Sequence, residues 1–477
     1  MIRKPPPLFE HQVKDIAFSL KHDRVLDWSD PGTGKTRTRL ETYSKRRAKG
    51  AKCALVIGPK SSMLSTWVND CKKYTPWLKT VLCPAEKRKE TFEHKTDIYI
   101  TNHDAAKWLA KQPKQFFDKF SELIIDESGA YKHHTSQRSK AMQKIKKYFP
   151  IRTAMNGTPN PNTILDLWHQ VNLIDDGQRL GQSFFAFRSA VCTPEQVGPK
   201  ANMIKWTDRE HAEAIVADLQ KDIVIRNVFE ECVSIPPNFK YMKEFSLAPV
   251  HAAQYRKMQK DALLSLPKGE ITAVNAATVM TKLLQIASGA VYDSDGKYHI
   301  LNKDRYDLVM DLAEERKYSL VFFLWKHQRD LLIEEAKKRK ITYMVIDGSV
   351  SDKKREEAIQ MYQAGMYRVG FLHPQSAAHS LTLTRGTASI WASPTFNLEH
   401  YLQGSRRIYR AGQTKKTETI DVIATGTIED HVYEVCNKKG AKMKDMLGFV
   451  KDLKDPKPVY RRNLAHEREV TKILEQE

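Results

Sequence analysis

Short apolar runs alternate with longer amphipathic stretches over roughly the first third of the chain. The apolar runs span 54–57, 98–101 and 123–125, and each ends at a polar or turn-forming residue. Runs of this length and composition predict buried strands. Strands that alternate with helical patterns imply a parallel sheet covered by helices on both faces. We therefore expect an α/β lobe in this part of the chain.

The same pattern returns in the C-terminal half, where apolar runs span 320–323, 343–346 and 369–372. The stretch between the two regions is rich in Lys, Glu and Gln, and we predict that it is mostly helical. After about residue 448 the chain is polar and contains prolines, which indicates a tail. The pattern thus predicts an N-terminal α/β lobe, a helical linker or protrusion, a C-terminal α/β lobe and a polar tail, at residues 1–178, 179–302, 303–448 and 449–477.

Length and composition fit a protein of several domains that does not span a membrane. A chain of 477 residues corresponds to two to four domains at roughly 100–200 residues each. The longest apolar run, 320–325, is far shorter than the ~20 residues that a membrane-spanning helix needs. The first seven residues lack the apolar core of a signal peptide. We therefore expect a cytoplasmic protein with no membrane partner.

The chain is strongly basic. It contains 78 Lys and Arg against 57 Asp and Glu, which gives a formal net charge of +21. A charge of this size favours a polyanionic partner, and nucleic acid is the first candidate. The alternative is a basic surface that binds no specific ligand.

The strongest local motif is the segment 29–36, with the sequence SDPGTGKT, which follows a short apolar run and precedes a helical stretch. This is the strand–loop–helix context of a phosphate-binding loop, in which backbone N–H groups surround phosphate oxygens. Lys35 would reach the β- and γ-phosphates, and the Thr36 hydroxyl would bind Mg²⁺. Ser29 stands where the strict motif has glycine. The candidate nucleotide-binding residues of the loop are Pro31, Gly32, Thr33, Gly34, Lys35 and Thr36.

A second motif, LIIDE at 123–127, follows this loop by about 90 residues. An apolar strand that ends in two acids fits nucleotide hydrolysis. Asp126 would hold the Mg²⁺, and Glu127 would orient and deprotonate the attacking water. The alternative is a pair of solvated acids at the start of a helix, where the helix dipole favours them.

These motifs belong to an ordered series that resembles the Swi/Snf-type ATPases of helicase superfamily two, from about residue 8 to 439. Gln12 matches the glutamine that reads the adenine edge in that family. The segment 58–61, followed by Trp67, and the segment 100–103 match two segments that contact the nucleic-acid backbone. NGTP at 156–159 resembles the motif that couples the nucleotide and DNA sites. The resemblance implies nucleic-acid contacts at Pro59, Lys60, Ser61, Thr101 and Asn102.

The C-terminal half carries further motifs of the series. The segment DGS at 347–349, followed by Arg355, and the segment 425–430 resemble family motifs of the second lobe. The segment 376–384 resembles motif five, with its glycines replaced, and implies nucleic-acid contacts at Ser376 and Thr384. The segments 373–374 and 396–399 are similar to the compact versions of the family in bacteriophages and prophages. This similarity implies the cytoplasm of a bacterium or a phage-infected host.

The segment 403–413, QGSRRIYRAGQ, resembles the arginine-containing signature of the second lobe and adds Gln403 to the catalytic candidates. Arg407 and Arg410 are three residues apart, so on a helix they would share one face and could reach across an interface. An arginine opposite the γ-phosphate raises the rate of hydrolysis by ~10³–10⁵-fold. Hydrolysis would then require the lobes to close. The alternative is a solvated or DNA-contacting basic face.

Two departures from the family pattern concern coupling rather than hydrolysis. Gly129 stands where a DExH-type box has histidine, so a link from that residue to Gln403 is not available. Motif five lacks its glycines, which opposes a close approach of its backbone to DNA. We therefore expect ATP turnover to be retained and its coupling to DNA to be weaker than usual in the family.

The resemblance implies two RecA-like α/β lobes in tandem, with a helical insertion between them and with ATP and Mg²⁺ in the cleft. It implies a DNA-dependent ATPase that translocates on duplex DNA and remodels protein–DNA complexes or branched DNA in replication, recombination or repair. A strand-separating DNA or RNA helicase and a nucleotide-gated DNA-binding module with negligible turnover are the alternatives. A separate nuclease or replication protein is a candidate partner.

Overall fold

The structure is a computed structural model, and it describes residues 5–157, 159, 163–196, 203–264, 273–377, 383–395 and 397–437. The strands, in chain order, are β1 (Arg24–Asp27), β2 (Cys53–Gly58), β3 (Thr80–Leu82), β4 (Ile98–Asn102), β5 (Phe120–Asp126), β6 (Ile151–Met155), β7 (Cys192–Gln196), β8 (Ile204–Asp208), β9 (Val224–Ile225), β10 (Asn238–Phe245), β11 (Ala290–Tyr292), β12 (Tyr298–Ile300), β13 (Ser319–Phe322), β14 (Tyr343–Ile346), β15 (Val369–Leu372), β16 (Ala388–Trp391) and β17 (Thr417–Ala424).

Helices connect these strands, and in the described part of the chain none is long and apolar enough to cross a membrane. A π-helical turn at Met63–Val68 joins the third and fourth helices. The α-helices are α1 (Glu10–Lys21), α2 (Lys35–Ala48), α3 (Lys60–Ser62), α4 (Asn69–Tyr74), α5 (Arg88–Thr91), α6 (Ala105–Leu109), α7 (Gln137–Ile145), α8 (Leu165–Asp175), α9 (Phe184–Val191), α10 (Ala212–Gln220), α11 (Phe229–Cys232), α12 (Pro249–Leu264), α13 (Ala273–Ala287), α14 (Asp304–Glu314), α15 (Lys326–Lys338), α16 (Asp352–Ala364), α17 (Pro374–Ala377), α18 (Leu398–Ser405) and α19 (Ile428–Asn437).

The first lobe is built on a seven-stranded parallel sheet with the order β3-β4-β2-β5-β6-β1-β9. The three strands predicted for this region lie within β2, β4 and β5, so that prediction is confirmed. Alternate residues of β2 enter different hydrophobic clusters, Leu55 on one face and Val56 on the other, because helices cover both faces. Since every pairing is parallel, the segments that follow β1, β2, β4, β5 and β6 meet at one edge of the sheet.

The second lobe contains a six-stranded parallel sheet with the order β10-β17-β16-β13-β15-β14. The apolar runs predicted as strands at 320–323, 343–346 and 369–372 coincide with β13, β14 and β15 to within one residue. Both faces of this sheet are also buried, with Leu320 and Val321 in different clusters. Two parallel α/β lobes in tandem are therefore confirmed.

The prediction that residues 179–302 are mostly helical missed six strands, β7 to β12, in the described part of this region. Two of them join the main sheets: β9 pairs with β1, and β10 pairs with β17 over eight residues. The first sheet therefore continues past residue 178, and the second begins at Asn238. β9 takes two residues of a three-residue apolar run, 223–225, and β10 is an exposed edge strand whose sequence, NFKYMKEF, mixes apolar and polar residues.

Candidate active site

The segment 29–36 connects β1 to α2, in the strand–loop–helix order that the sequence predicts. Gly34 adopts a left-handed backbone with φ of 86°, and α2 begins at the next residue, Lys35. The Lys35 ammonium group folds back over the loop and donates to the carbonyl oxygens of Ser29 at 2.6 Å and Asp30 at 3.2 Å. The lysine thus lies within the loop, where it can exchange these carbonyls for phosphate oxygens.

Helix α1 packs two polar side chains against this loop. His11 Nε2 lies 2.8 Å from the carbonyl oxygen of Thr33. Gln12 Nε2 donates to the carbonyl oxygens of Thr33 at 3.4 Å and Gly34 at 3.5 Å, and its side chain is buried. The predicted adenine-reading residue therefore lies beside the predicted phosphate loop.

Asp126 lies at the end of β5, in the middle of the sheet edge that carries the loop. Its Oδ2 atom accepts a hydrogen bond of 2.9 Å from Nε1 of Trp67, a residue of the π-helical turn that is 1% exposed. Burial raises the pKa of the Asp126 carboxyl group, and the Trp67 hydrogen bond and the Lys35 charge oppose this shift. Sequence reasoning placed Trp67 only in a nucleic-acid segment and missed its contact with Asp126.

Glu127 has a left-handed backbone, with φ of 52° and ψ of 60°. A non-glycine residue in this conformation costs of order 1–3 kcal/mol, and such strain persists where the surrounding structure enforces it. The turn separates the two acids, since Asp126 is buried in the sheet edge and Glu127 is partly exposed. The side chain of Glu127 interacts electrostatically with Arg407 of the second lobe.

A buried polar network links this turn to the NGTP segment. Gln170, a residue of α8, accepts hydrogen bonds on Oε1 from Ser128 Oγ at 2.7 Å and from Asn156 Nδ2 at 3.0 Å. Its Nε2 donates to the carbonyl oxygen of Pro159 at 2.7 Å. A Cβ atom at Gly129 would lie 3.0 Å from Asn156 Nδ2, so this position has little room for the histidine of a DExH-type box. No motif in the sequence indicated a role for Gln170.

The arginine signature of the second lobe lies at the end of α18, which finishes at Ser405. The expectation that Arg407 and Arg410 share a helical face is therefore wrong, because both lie in the turns after the helix. The last two residues of α18, Gly404 and Ser405, are weak helix formers. Arg407 is 5% exposed, and its Nε donates to the carbonyl oxygen of Gln403 at 2.8 Å. Gln403 is itself buried.

Both arginines nevertheless face the first lobe. Burial, and then the charge of Arg410, lower the pKa of Arg407, while Glu127 opposes this shift. Burial also lowers the pKa of Arg410, while Asp70 and Tyr74 on α4 oppose it. The pKa of Asp70 is raised to about 6 by burial, against the charge of Arg410. Groups from the two lobes therefore meet across one cleft.

The nucleic-acid candidates of the first lobe lie at the same sheet edge but differ in exposure. Lys60 is exposed, and Asn102 is partly exposed and accepts a hydrogen bond of 2.9 Å from Arg88 Nη2. Pro59 is buried. Thr101 is also buried, and its hydroxyl donates to a carbonyl inside the lobe at 2.8 Å, so its side chain does not fit the predicted backbone contact. The side chain of Ser61 lies outside the described residues.

The nucleic-acid candidates of the second lobe flank the segment 378–382, which lies outside the described residues, as does Thr158 of the NGTP segment. Ser376 is a partly exposed residue of α17. The carbonyl oxygen of Thr384 accepts a hydrogen bond of 3.0 Å from Gln413 Nε2. The structure therefore places both residues on the second lobe, and it does not test their contact with DNA.

The oxygen groups near the loop suit a magnesium ion. Thr36, in the first turn of α2, carries a hydroxyl, and Asp126 carries a carboxylate. Within the described ranges no cluster of three or more His, Cys, Asp or Glu side chains could hold a metal. Mg²⁺ in phosphate-transfer sites takes one or two protein oxygens and completes its shell with water and substrate phosphates. The two residues fit an ion bound in this way.

Two parallel α/β lobes, with a phosphate loop and two adjacent acids on one and the buried Arg407 and partly exposed Arg410 on the other, define a two-lobed P-loop triphosphatase. The model of the SNF2-related domain matches residues 26–289, which is more than half of the chain. The model of the helicase conserved C-terminal domain matches residues 304–412. The chain belongs to the SNF2-related family, and it is a nucleic-acid-dependent ATPase.

Similar proteins span this chain to different extents. "Putative protein p41" of Acyrthosiphon pisum secondary endosymbiont phage 1 is 25% identical over 93% of this chain and 97% of its own length. "Uncharacterized ATP-dependent helicase MG018" of Mycoplasma genitalium is 25% identical over 93% of this chain, which spans 41% of that relative. The solved structure "Sulfolobus solfataricus SWI2/SNF2 ATPase core in complex with dsDNA" is 19% identical to this chain, with a TM-score of 0.44. The match covers 97% of this chain and 98% of that structure's chain.

Proposed function

We propose that this ATPase translocates on duplex DNA and thereby remodels protein–DNA complexes or branched DNA. The observation that carries the proposal is the contact of the arginine segment with the phosphate loop: the Cβ atom of Arg410 lies 3.4 Å from where a Cβ atom at Gly32 would be. The negative charge of Glu127 also acts on the buried Arg407 guanidinium. Because each lobe supplies a part of the site, the ATP cycle is tied to their relative position. Closure on ATP and reopening after hydrolysis move one lobe relative to the other, which is the motion that a translocating motor requires.

Each residue of the site has a distinct role in this proposal. Lys35 binds the β- and γ-phosphates, and Thr36 and Asp126 hold the magnesium ion, which when bound offsets the negative charge of the phosphates. Glu127 orients the attacking water and accepts its proton. Arg407 and Arg410 stabilise the charge on the transferred phosphoryl group.

The charge and the sheet edge support DNA as the substrate of the motor. The net charge of +21 favours a polyanion, and Lys60 and Asn102 lie on the sheet edge that carries the acids. Contacts from such residues to phosphates position the protein but do not read sequence. We therefore expect binding that is independent of sequence and that weakens steeply with salt.

The proposal predicts that duplex DNA raises the kcat for ATP, by about tenfold for each ~1.4 kcal/mol by which bound DNA favours the closed arrangement of the lobes. Steady-state ATPase assays with duplex DNA, single-stranded DNA, forks and RNA measure this effect. Lys35→Ala serves as the control, because it removes the phosphate contact and should abolish turnover with every nucleic acid. Displacement of a triplex-forming strand without separation of the duplex would distinguish translocation from a strand-separating helicase. Equal turnover with and without nucleic acid would contradict the motor.

A further inference from the structure

The chain that leaves the first sheet runs along the phosphate loop before it enters the second lobe. We call residues 226–232 the inter-lobe linker; they follow β9 and include α11. Trp28 N donates to the carbonyl oxygen of Ile225 at 2.9 Å, and Asp30 N donates to that of Asn227 at 3.0 Å. The linker therefore extends the pairing of β1 and β9 beyond the sheet, directly against the loop.

Ser29, the residue that replaces the glycine of the strict loop motif, is bonded to this linker. Its Oγ atom accepts hydrogen bonds from Asn227 N at 3.1 Å and from Asn227 Nδ2 at 3.0 Å. The same Nδ2 donates to Asp15 Oδ2 of α1 at 2.8 Å. Ser29 is 1% exposed, so these are buried contacts that a glycine cannot make. The departure from the motif thus has a partner in the linker.

The next loop residue, Asp30, holds the linker through both carboxylate oxygens. Oδ1 accepts from Arg226 Nη1 at 2.6 Å, and Oδ2 accepts from Phe229 N at 3.1 Å. The carbonyl oxygens of Ser29 and Asp30 are also the two acceptors of Lys35. A triphosphate that draws Lys35 away from these carbonyls therefore acts on the same two residues that hold the linker.

The opposite side of the linker contacts the arginine segment. Phe229 is fully buried, and its ring lies 3.1 Å from where a Cβ atom at Gly32 would be, a close approach that only glycine permits. The Tyr409 ring packs edge-on against Phe229, with 5.2 Å between centroids. The Arg406 guanidinium lies 4.4 Å from the Phe229 centroid and pairs with Glu230. Arg406 and Tyr409 are the chain neighbours of Arg407 and Arg410.

We propose that Asn227, Phe229 and Glu230 are positioning residues for ATP hydrolysis. They join the phosphate loop to the turn that carries Arg407 and Arg410, so occupation of the loop by triphosphate and placement of the arginines depend on each other. This inference rests on the proposed function, since it assigns to the linker the coupling that a two-lobed motor needs. Packed side chains and hydrogen bonds that contact both elements are the physical basis of such coupling.

Exchange of the Glu230–Arg406 charges tests this role without opening the core. Glu230 is 53% exposed, so E230R leaves the core intact, whereas Arg406 is 17% exposed and also packs on the Phe229 ring. We expect E230R and R406E each to lower kcat by ~3–30-fold with little change in the KM for ATP, and E230R to leave the melting temperature unchanged. E230R/R406E, which restores the pair in exchanged positions, should recover most of the loss. E334R is the matched control, because it breaks the exposed pair of Glu334 with Lys303, both in the second lobe.

A double-mutant cycle tests the loop side of the linker independently of that pair. S29G removes both hydrogen bonds to Ser29 Oγ, whereas N227A removes one of them together with the Asn227–Asp15 bond. Because the two variants share a lost contact, the loss of kcat in S29G/N227A should be smaller than the product of the single losses. All variants are assayed with and without duplex DNA. If DNA fails to stimulate ATP hydrolysis by the wild-type protein, the proposed motor function is wrong. The kcat without DNA still tests the role of the linker in that case. Wild-type kcat in both charge variants, no rescue by their combination, or losses that multiply in the S29G/N227A cycle would each overturn the inference.

Discussion

Glu127→Gln is expected to lower the kcat for ATP by at least ~10²-fold while ATP binding is retained, because an amide cannot accept the proton of the attacking water. Glutamine has nearly the same shape as glutamate, and the left-handed backbone at this position comes from the turn after β5 rather than from the carboxylate. Single-turnover hydrolysis and binding of labelled ATP separate the chemical step from affinity.

Glu86→Gln is the matched control for this experiment. Glu86 is an exposed residue of the first lobe, in a short 3₁₀ helix after β3, and two strands, β4 and β2, separate β3 from the strand that carries the acids. The same change of charge and shape should leave turnover within twofold of wild type. Substitutions at the surface rarely change the free energy of unfolding by more than about 0.5 kcal/mol. Wild-type turnover in Glu127→Gln would show that another group activates the water.

Arg407→Ala is expected to lower kcat by ~10³–10⁵-fold, the effect of removing an arginine that stabilises the transferred phosphoryl group. The structure supports Arg407 for this role because it is buried in the cleft and interacts with Glu127. An interaction that is much stronger in the transition state than in the ATP-bound ground state mainly changes kcat. Steady-state kinetics over a range of ATP concentrations therefore measure kcat and KM separately.

Two further variants define what the Arg407 result means. Arg407→Lys keeps a charge but loses the planar fork of donors, so we expect it to recover only a small part of the activity. Arg256→Ala, at an exposed position of α12, controls for loss of one positive charge and should not change kcat. A large rise in KM with an unchanged kcat for Arg407→Ala would place this arginine in ATP binding instead of catalysis.

The sequence predicted the cores of both lobes because their central strands are continuous apolar runs. The strands at Ala54, Ile98 and Leu123 in the first lobe, and at Leu320 and Val369 in the second, are buried on both faces, which removes polar residues from them. β10 was missed because an edge strand needs only one neighbour, so its sequence can be polar.

The motifs predicted which side chains gather at the sheet edge, because parallel strands bring the residues after their carboxyl ends together. They could not predict the contacts of Trp67 or Gln170, because the bonded residues are far apart in the sequence. Trp67 is 59 residues from Asp126, and Gln170 is 42 residues from Ser128. Spacing also misplaced Arg407 on a helix, since a period of three fits a turn as well. Thr101 is buried because it still belongs to β4, which is covered on both faces of the sheet.

The central claim is that one triphosphate lies between the two lobes, bound by the first and contacted by arginines of the second. A structure of the Glu127→Gln variant with ATP, Mg²⁺ and duplex DNA tests it most directly. The account predicts guanidinium nitrogens of Arg407 and Arg410 at hydrogen-bond distance, about 2.7–3.2 Å, from oxygens of the γ-phosphate. A γ-phosphate contacted only by the first lobe, with both guanidinium groups turned away from it, would contradict the account.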